Sequence, residues 1–215
     1  QKLMDNDFYG AVASFDYDNR QNLRATVGGG WNRYDGDHYG LVKWVKNTEH
    51  IADLQPNHRY YSNNGDKRDA NIYGKVSYEF VKGLSAYVDL QYRHINYKMD
   101  GPTDDFSGTT QQVFNLEQKY DFFNPKAGLF YQINRNHSLY ASYALAHKEP
   151  TRNDFEDNIN THLRAEQLND WELGYKYQSE KFSAGVNLYY MAYRDQFVLT
   201  GEQNEIGEFI ARNAG

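Results

Sequence analysis

The sequence contains no cysteine, which excludes a disulfide framework and thiolate metal sites while naming no compartment. It has no run of about 18 to 20 apolar residues, and that excludes a transmembrane helix. Its first residues, QKLMDNDFYG, lack the apolar core of a secretion signal, so any such signal is expected to have been removed or to lie outside this chain. Basic excess is missing too. The 29 acidic residues outnumber the 23 basic ones, for a net charge of −6, whereas nucleic-acid binders display a basic patch or stripe. No nucleic-acid partner is therefore expected. Proline is rare, and the 3.6-residue period of an amphipathic helix nowhere persists beyond two turns.

What is present is aromatic weight and a period of two. The 20 Tyr, 12 Phe and 3 Trp favour strands over helices. In GLSAYVDLQYRHINY one face reads Leu84, Ala86, Val88, Leu90, Tyr92 and the other Ser85, Tyr87, Asp89, Gln91, Arg93. The same rhythm puts Tyr9, Ala11, Ala13, Phe15 and Tyr17 on one face, then Leu23, Ala25, Val27, Gly29 and Trp31, then Ile72, Gly74, Val76, Tyr78 and Phe80. Further along it groups Ala127, Leu129, Tyr131 and Ile133; Leu139, Ala141, Tyr143 and Leu145; Trp171, Leu173, Tyr175 and Tyr177; and Phe182, Ala184, Val186, Leu188 and Tyr190. This makes eight strands, with a ninth expected to begin near Glu208.

The links alternate. DNRQN, VKG, NRN and SEK are short polar hairpin connections, whereas Asp35 to Asp69, Lys98 to Phe122 and His147 to Asp170 read as long loops. In an up-and-down meander this places every short turn at one end of the sheet and every long loop at the other, as in outer-membrane barrels.

A soluble sandwich also alternates apolar and polar residues, and a mean hydropathy of −0.90 suits it at first sight. A membrane barrel, however, spends only alternate residues on lipid, so its hydropathy signal per strand is weak. The rhythm of Gly83 to Tyr97 outlasts the typical soluble strand of about five or six residues, and about nine to eleven tilted residues cross a bilayer. The polar face is rich in Ser, Gly, Asn, Gln and Thr, and aromatics stand at strand ends, where amphipathic rings suit membrane interfaces. The expected fold is all-β: an antiparallel up-and-down meander forming part of a transmembrane β-barrel, one segment over residues 1–215.

The stretches FFNPKAGLFYQINRNHSLYASYALAHKEPTRNDF, LNDWELGYKYQSEKFSAGVNLYYMAYRDQFVLTGEQNEIG and ARNAG resemble the barrel region of TonB-dependent outer-membrane receptors. The resemblance lies in the order of the steps: Asn-Pro-Lys-Ala-Gly, Tyr-Ala-Ser-Tyr, Lys-Glu-Pro, Trp-Glu-Leu-Gly-Tyr, then Tyr-Tyr-Met before a Gly-rich loop and Asn213. YGAVASFDYDN and GGGWNRYDGDHYG fit earlier strands. It implies a 22-stranded barrel around an N-terminal plug, importing iron-siderophore, haem, cobalamin or glycan ligands under the drive of the TonB complex. With eight or nine strands and no plug, the chain is expected to be an internal piece, partnered by outer-membrane lipid, by a small-molecule or glycan ligand and, through the plug of its parent receptor, by TonB. A soluble secreted carbohydrate-binding sandwich is the alternative, and an outer-membrane phospholipase-like barrel a third reading.

Ligand-binding candidates come from the long links. Trp44, Tyr60 and Tyr61 offer ring faces for stacking on a sugar or aromatic chelator, or merely stabilise their own loop. DGDHYG brings Asp35, Asp37 and His38 together, yet position twelve of the partial calcium-loop match is Lys46, where a bidentate Glu is required. His38, His50, His58, His147 and His162 fall on the long-link side without any paired metal spacing, so no metal or cofactor is expected. The loop after His147 carries Glu149, Asp154, Glu156, Asp157 and Glu166 against Lys148, Arg152 and Arg164, with Pro150 and Arg152 matching the receptor pattern and fixing where the strand leaves the barrel. Catalysis is not expected: VGGGWN lacks dinucleotide-loop spacing, and no phosphate-binding GxxxxGK[ST] loop or GxSxG elbow occurs. The NHS sequon at Asn136 sits in a short turn.

Overall fold

The computed structural model describes residues 1–46, 55–159, 161–203, 207 and 209–214. Eight strands follow one another in chain order within one antiparallel sheet: β1 (Lys2–Asp18), β2 (Leu23–Val42), β3 (His58–Val81), β4 (Leu84–Ser107), β5 (Thr110–Gln132), β6 (His137–Lys148), β7 (Glu166–Gln178) and β8 (Ser183–Arg194). A short helix, α1 (Arg152–Asp157), lies between β6 and β7, while β9 (Gln196–Gln203) and β10 (Phe209–Ala214) pair as a separate hairpin. A sandwich needs two sheets packed face to face. A single eight-stranded sheet in consecutive order does not favour that alternative.

The short links are turns as expected, but two of the three long ones are largely strand. β2 extends to Val42 and β3 begins at His58, while β4 and β5 meet at Gly108 and Thr109. Irregular loops over Asp35 to Asp69 and Lys98 to Phe122 are thus corrected to long hairpin arms. Alternation had not stopped there; it had changed chemistry, with polar residues taking most of the exposed positions. The third link stays outside the sheet from Glu149 to Ala165 and contains α1. The strand expected near Glu208 is β10, starting at Phe209, and Glu208 itself lies outside the described residues. β9, read from sequence as a glycine-bearing loop, is held by its pairing with β10.

The chain divides into two compact units. The first comprises Gln1–Ala11, Trp31–Ala70 and His94–Tyr120. Its core is Tyr61, Ile95, Tyr97, Met99 and Phe114, with Thr103 and Asn63 buried among them. Asn63 Nδ2 donates to Pro102 O at 2.9 Å, and Gln111 Nε2 donates to both Tyr60 O (3.1 Å) and Thr103 O (2.8 Å). On the exposed side Arg33 Nε donates to Asp66 at 2.8 Å and Nη2 to Asp35 at 2.9 Å, while Lys98 and Lys119 flank Glu117 at 3.1 and 3.2 Å.

The second unit comprises Val12–Gly30, Asn71–Arg93 and Asp121–Gly215. Its register runs in rows over β5 to β8. Leu129, Ala141, Leu173 and Leu188 form one row; Tyr131, Leu139, Tyr175 and Val186 the next; and Ala127, Tyr143, Trp171 and Tyr190 a third. These are the faces the period of two had grouped. They are not a core: Leu173 is 52% exposed and Leu188 62%. Aromatic rings close the band at both ends, with Trp171 between Tyr143 (5.3 Å) and Tyr190 (5.6 Å), and Tyr177 beside Phe182 (6.2 Å).

The opposite face carries Gly128, Ser142, Glu172 and Tyr189, then Phe130, Tyr140, Gly174 and Asn187, then Gln132, Ser138, Lys176 and Gly185. Here tyrosines lie flat on cross-strand glycines. A Cβ at Gly28 would meet the Tyr73 hydroxyl at 2.5 Å, one at Gly128 the Tyr87 ring at 2.5 Å, and one at Gly174 would run into the Tyr140 ring. Only a residue without a side chain admits a ring this close to the backbone.

Candidate functional site: the strap after β6 and the aromatic arm of β2 and β3

In the second unit the buried polar groups gather where β6 leaves the sheet. Arg93 Nη1 and Nη2 donate to the two Glu149 carboxylate oxygens, each at 3.0 Å, the two-pronged geometry that a planar guanidinium forms best. Beside them Asn124 bridges Gln91 Oε1 (3.1 Å) and His147 Nδ1 (2.9 Å), and the His147 ring stacks on Phe122 at 5.2 Å with the planes 4° apart.

Pro150, fully buried, cannot continue a ladder, and Thr151 opens α1 with a reciprocal cap: Thr151 accepts from Asp154 N, and Asp154 Oδ2 accepts from Thr151 N at 2.7 Å. That Thr-Arg-Asn-Asp run is a capping-box spacing with Asp in the last place, a helix-start signal that the sequence itself carries. Phe155 anchors the helix by burial.

Two asparagines then pin this strap to the β9–β10 hairpin. Asn158 Nδ2 donates to Asp154 O (2.8 Å) and Ala211 O (3.0 Å), and its Oδ1 accepts from Arg212 Nε (3.1 Å). Asn213 Oδ1 accepts from Arg164 N (2.8 Å), and its Nδ2 donates to Arg164 O (3.0 Å) and Asp195 O (2.6 Å). Asp195, at φ 52°, is the non-glycine left-handed residue at which β8 turns into β9. Nothing in the local sequence announced Asn158, because two of its three side-chain partners, Ala211 and Arg212, come from a hairpin some fifty positions away.

Arg152 belongs to this strap. It faces Glu156 one helical turn on, at 3.4 Å, and only 18% of its side chain is exposed. His162 is exposed.

The other sequence-derived candidates lie in the first unit. Tyr60 and Tyr61 meet edge to face at 5.0 Å over Gly40, and Tyr61 is buried to 7% exposure. Trp44, past the end of β2, is 77% exposed. His38 Nε2 lies 3.2 Å from the Tyr34 hydroxyl. Asp35 and Asp37 sit on a strand, not in a loop, and both accept from Asn64 Nδ2, at 2.8 and 2.9 Å. Arg59 stacks over Tyr39 at 4.0 Å. His58 is exposed, and His50 lies outside the described residues.

Charge pairing tunes this unit. Hydrogen bonds from Lys98 and then Lys119 hold the Glu117 carboxyl below its usual range, and the Asp104 carboxylate holds the Lys2 ammonium above its own.

The sequence model of a family described as TonB dependent receptor-like, beta-barrel matches residues 2–215. No curated protein sequence matches significantly. Among solved structures the chain is similar to the copper transporter OprC, with a TM-score of 0.78 at 11% identity over 99% of this chain and 34% of that one. It is similar to the FrpB iron transporter from Neisseria meningitidis, at 0.66 and 16% over 99% and 31%, and to the ferric yersiniabactin uptake receptor FyuA from Yersinia pestis, at 0.64 and 11% over 92% and 30%. The chain thus spans about a third of the length of these proteins. They are named as transporters and receptors, not enzymes.

Proposed function

The chain belongs to the TonB-dependent receptor-like β-barrel family, and from that premise we propose that it is a wall segment of an outer-membrane receptor importing a scarce nutrient. The imported ligand is an iron-siderophore, haem, cobalamin or a glycan, and the energy comes from the TonB complex acting through a plug in the parent receptor. The observation that carries this reading is the exposed apolar band of the second unit, with Leu173 and Leu188 at its middle and aromatic rows at its ends. Such a band is costly in water and suits a bilayer with ring-lined interfaces.

Within this reading the outward band faces lipid and the Ser142, Glu172 and Lys176 face lines a wet interior. Trp44, 77% exposed, is the first choice for stacking on a ligand. Tyr60, Tyr61 and His38 shape the arm that carries it, and Arg152 holds the strap beside the interior.

The test is genetic and biochemical together. Deletion of the gene should abolish growth on one of a set of defined iron, haem, cobalamin or glycan sources, and the intact protein should fractionate with the outer membrane and need detergent. A protein recovered soluble without detergent, or a deletion strain that grows normally on every source, overturns the proposal.

A further inference from the structure

We infer that the short-turn end of the second unit is a docking rim for the phosphate headgroups of anionic phospholipids. The turns at residues 19–22, 82–83, 133–136 and 179–182 each hold one cation: Arg20, Lys82, Arg135 and Lys181. All of these cations are exposed, and all belong to the second unit. The one carboxylate in these turns is Glu180, beside Lys181, although acidic residues outnumber basic ones in the chain as a whole.

The tips are tied down, and their own amides are taken. In the first turn Asn19 Oδ1 accepts from the N–H groups of Gln21 (2.9 Å), Asn22 (3.0 Å) and Leu23 (3.0 Å), while Asp18 Oδ1 accepts from Arg20 N at 2.6 Å. In the others Glu79 Oε1 accepts from Gly83 N (2.8 Å), Asn134 Oδ1 from Asn136 N (2.9 Å), and Ser179 Oγ from Phe182 N (3.1 Å).

Each turn is also joined to the hairpin that follows it. Asn22 O accepts from Glu79 N (2.8 Å), Gly83 O from Gln132 N (2.6 Å) and Asn136 O from Gln178 N (2.7 Å), so the tips form one continuous edge. Its cations recur every second strand, on the order of 10 Å apart at ordinary strand spacing.

Nothing within the edge neutralises them. Arg20, Lys82, Arg135 and Lys181 make no ion pair among the described residues. Of the carboxylates nearby, Asp18 is paired with Arg24 at 3.2 Å and Glu79 is engaged by Gly83 N. Fixed, uncompensated cations attract anions at little reorganisation cost.

The neighbouring residues favour a lipid over another polyanion. An exposed ring of the outward face stands within a few residues of each cation: Tyr17 before Arg20, Phe80 before Lys82, Tyr131 before Arg135 and Phe182 after Lys181. Rings suit the depth of a membrane interface, and cations suit the phosphate level just beyond it. Separate headgroups can meet cations spaced in this way one by one, whereas a single small anion reaches one at most. Such a rim presupposes the wall-segment reading and names the lipid chemistry at one end of its band.

The test reconstitutes the intact receptor in phosphatidylcholine bilayers with a trace of spin-labelled phosphatidylglycerol or spin-labelled phosphatidylcholine, and reads the motionally restricted fraction by electron paramagnetic resonance. At low salt the receptor should restrict phosphatidylglycerol about two- to threefold more strongly, the modest worth of exposed charges at a surface, and added salt should shrink the preference by screening. Combining Arg20→Gln, Lys82→Gln, Arg135→Gln and Lys181→Gln should remove at least about half of it. The charge-conserving pair Lys82→Arg and Arg135→Lys should keep it, as should Lys43→Gln, an exposed cation of the first unit.

No preference in the unaltered receptor, an unchanged preference in the combined variant, or an equal loss in Lys43→Gln would overturn the inference and leave the wall-segment reading standing. So would loss of the preference to inorganic phosphate at an ionic strength where chloride preserves it, because the rim would then hold the free anion. A receptor that enters no bilayer overturns both.

Discussion

Arg93 and Glu149 clasp each other through two hydrogen bonds of 3.0 Å, although β5 stands between the strand that carries Arg93 and the strand that ends just before Glu149. The pair ties the strap after β6 back to the face of β4. Glu149 keeps only 10% of its side-chain surface and Arg93 26%, so neither charge is well solvated if the other is removed.

Replacing one partner should therefore cost more than replacing both. Glu149→Gln is expected to lower stability by about 1–3 kcal/mol, the worth of hydrogen bonds to a charged group. The double variant Arg93→Met with Glu149→Leu should recover part of that loss, since an apolar pair leaves no stranded charge. Urea unfolding of the detergent-solubilised receptor checks it, and a double variant no more stable than Glu149→Gln would contradict it.

Gly174→Ala should destabilise by about 1–3 kcal/mol through overpacking, because its Cβ would collide with the Tyr140 ring. Tyr140→Ala in the Gly174→Ala background should relieve the clash. Gly74→Ala, where nothing lies within 4 Å, is the control and should be close to neutral in the same unfolding assay.

Tyr61 and Trp44 should separate packing from binding. Tyr61→Ala empties a buried ring position and is expected to cost about 3–5 kcal/mol. Trp44→Ala should stay within about 0.5 kcal/mol of the parent in stability while reducing uptake of the nutrient identified by growth. Unchanged uptake in Trp44→Ala would remove it as a ligand contact.

The hydrogen bonds of Asn158 and Asn213 should show in exchange. Asn158→Ala removes two donated bonds and one accepted bond, so amides of β10 should exchange faster in deuterium while those of β6 and β7 keep their protection. Equal acceleration across the sheet would mean global loosening instead.

Glu117 sets a pH dependence in the first unit. Its carboxyl is held below the ordinary 4.5 by Lys98 first and Lys119 second, so the folded state binds its proton more weakly than the unfolded chain does. Its contribution is complete above the unfolded-state value and is lost as pH falls from there through the lower folded value. Hydrogen exchange of the β4–β5 hairpin should accelerate in that acid window, and Glu117→Gln should flatten the Glu117 part of the trend.

The sequence by itself determined the strands and their faces. A period of two cannot slip by one residue without turning Leu173 and Leu188 to the wrong side, so the rows over β5 to β8 were readable before any coordinate. It also determined which links were short, because each is a few polar residues between two unmistakable alternations. The length of the hairpin arms was not legible, since on β4 and β5 beyond Tyr97 the exposed positions include Lys98, Asp100, Glu117 and Lys119, and polar alternation resembles a loop. Likewise β9, the Arg93–Glu149 clasp, the pins at Asn158 and Asn213, and the bonds that join each short turn to the next hairpin depend on residues far apart in the chain. Tertiary structure alone decided them, because a hydrogen bond needs its partner within about 3 Å and only the order and register of the strands bring such distant side chains that close.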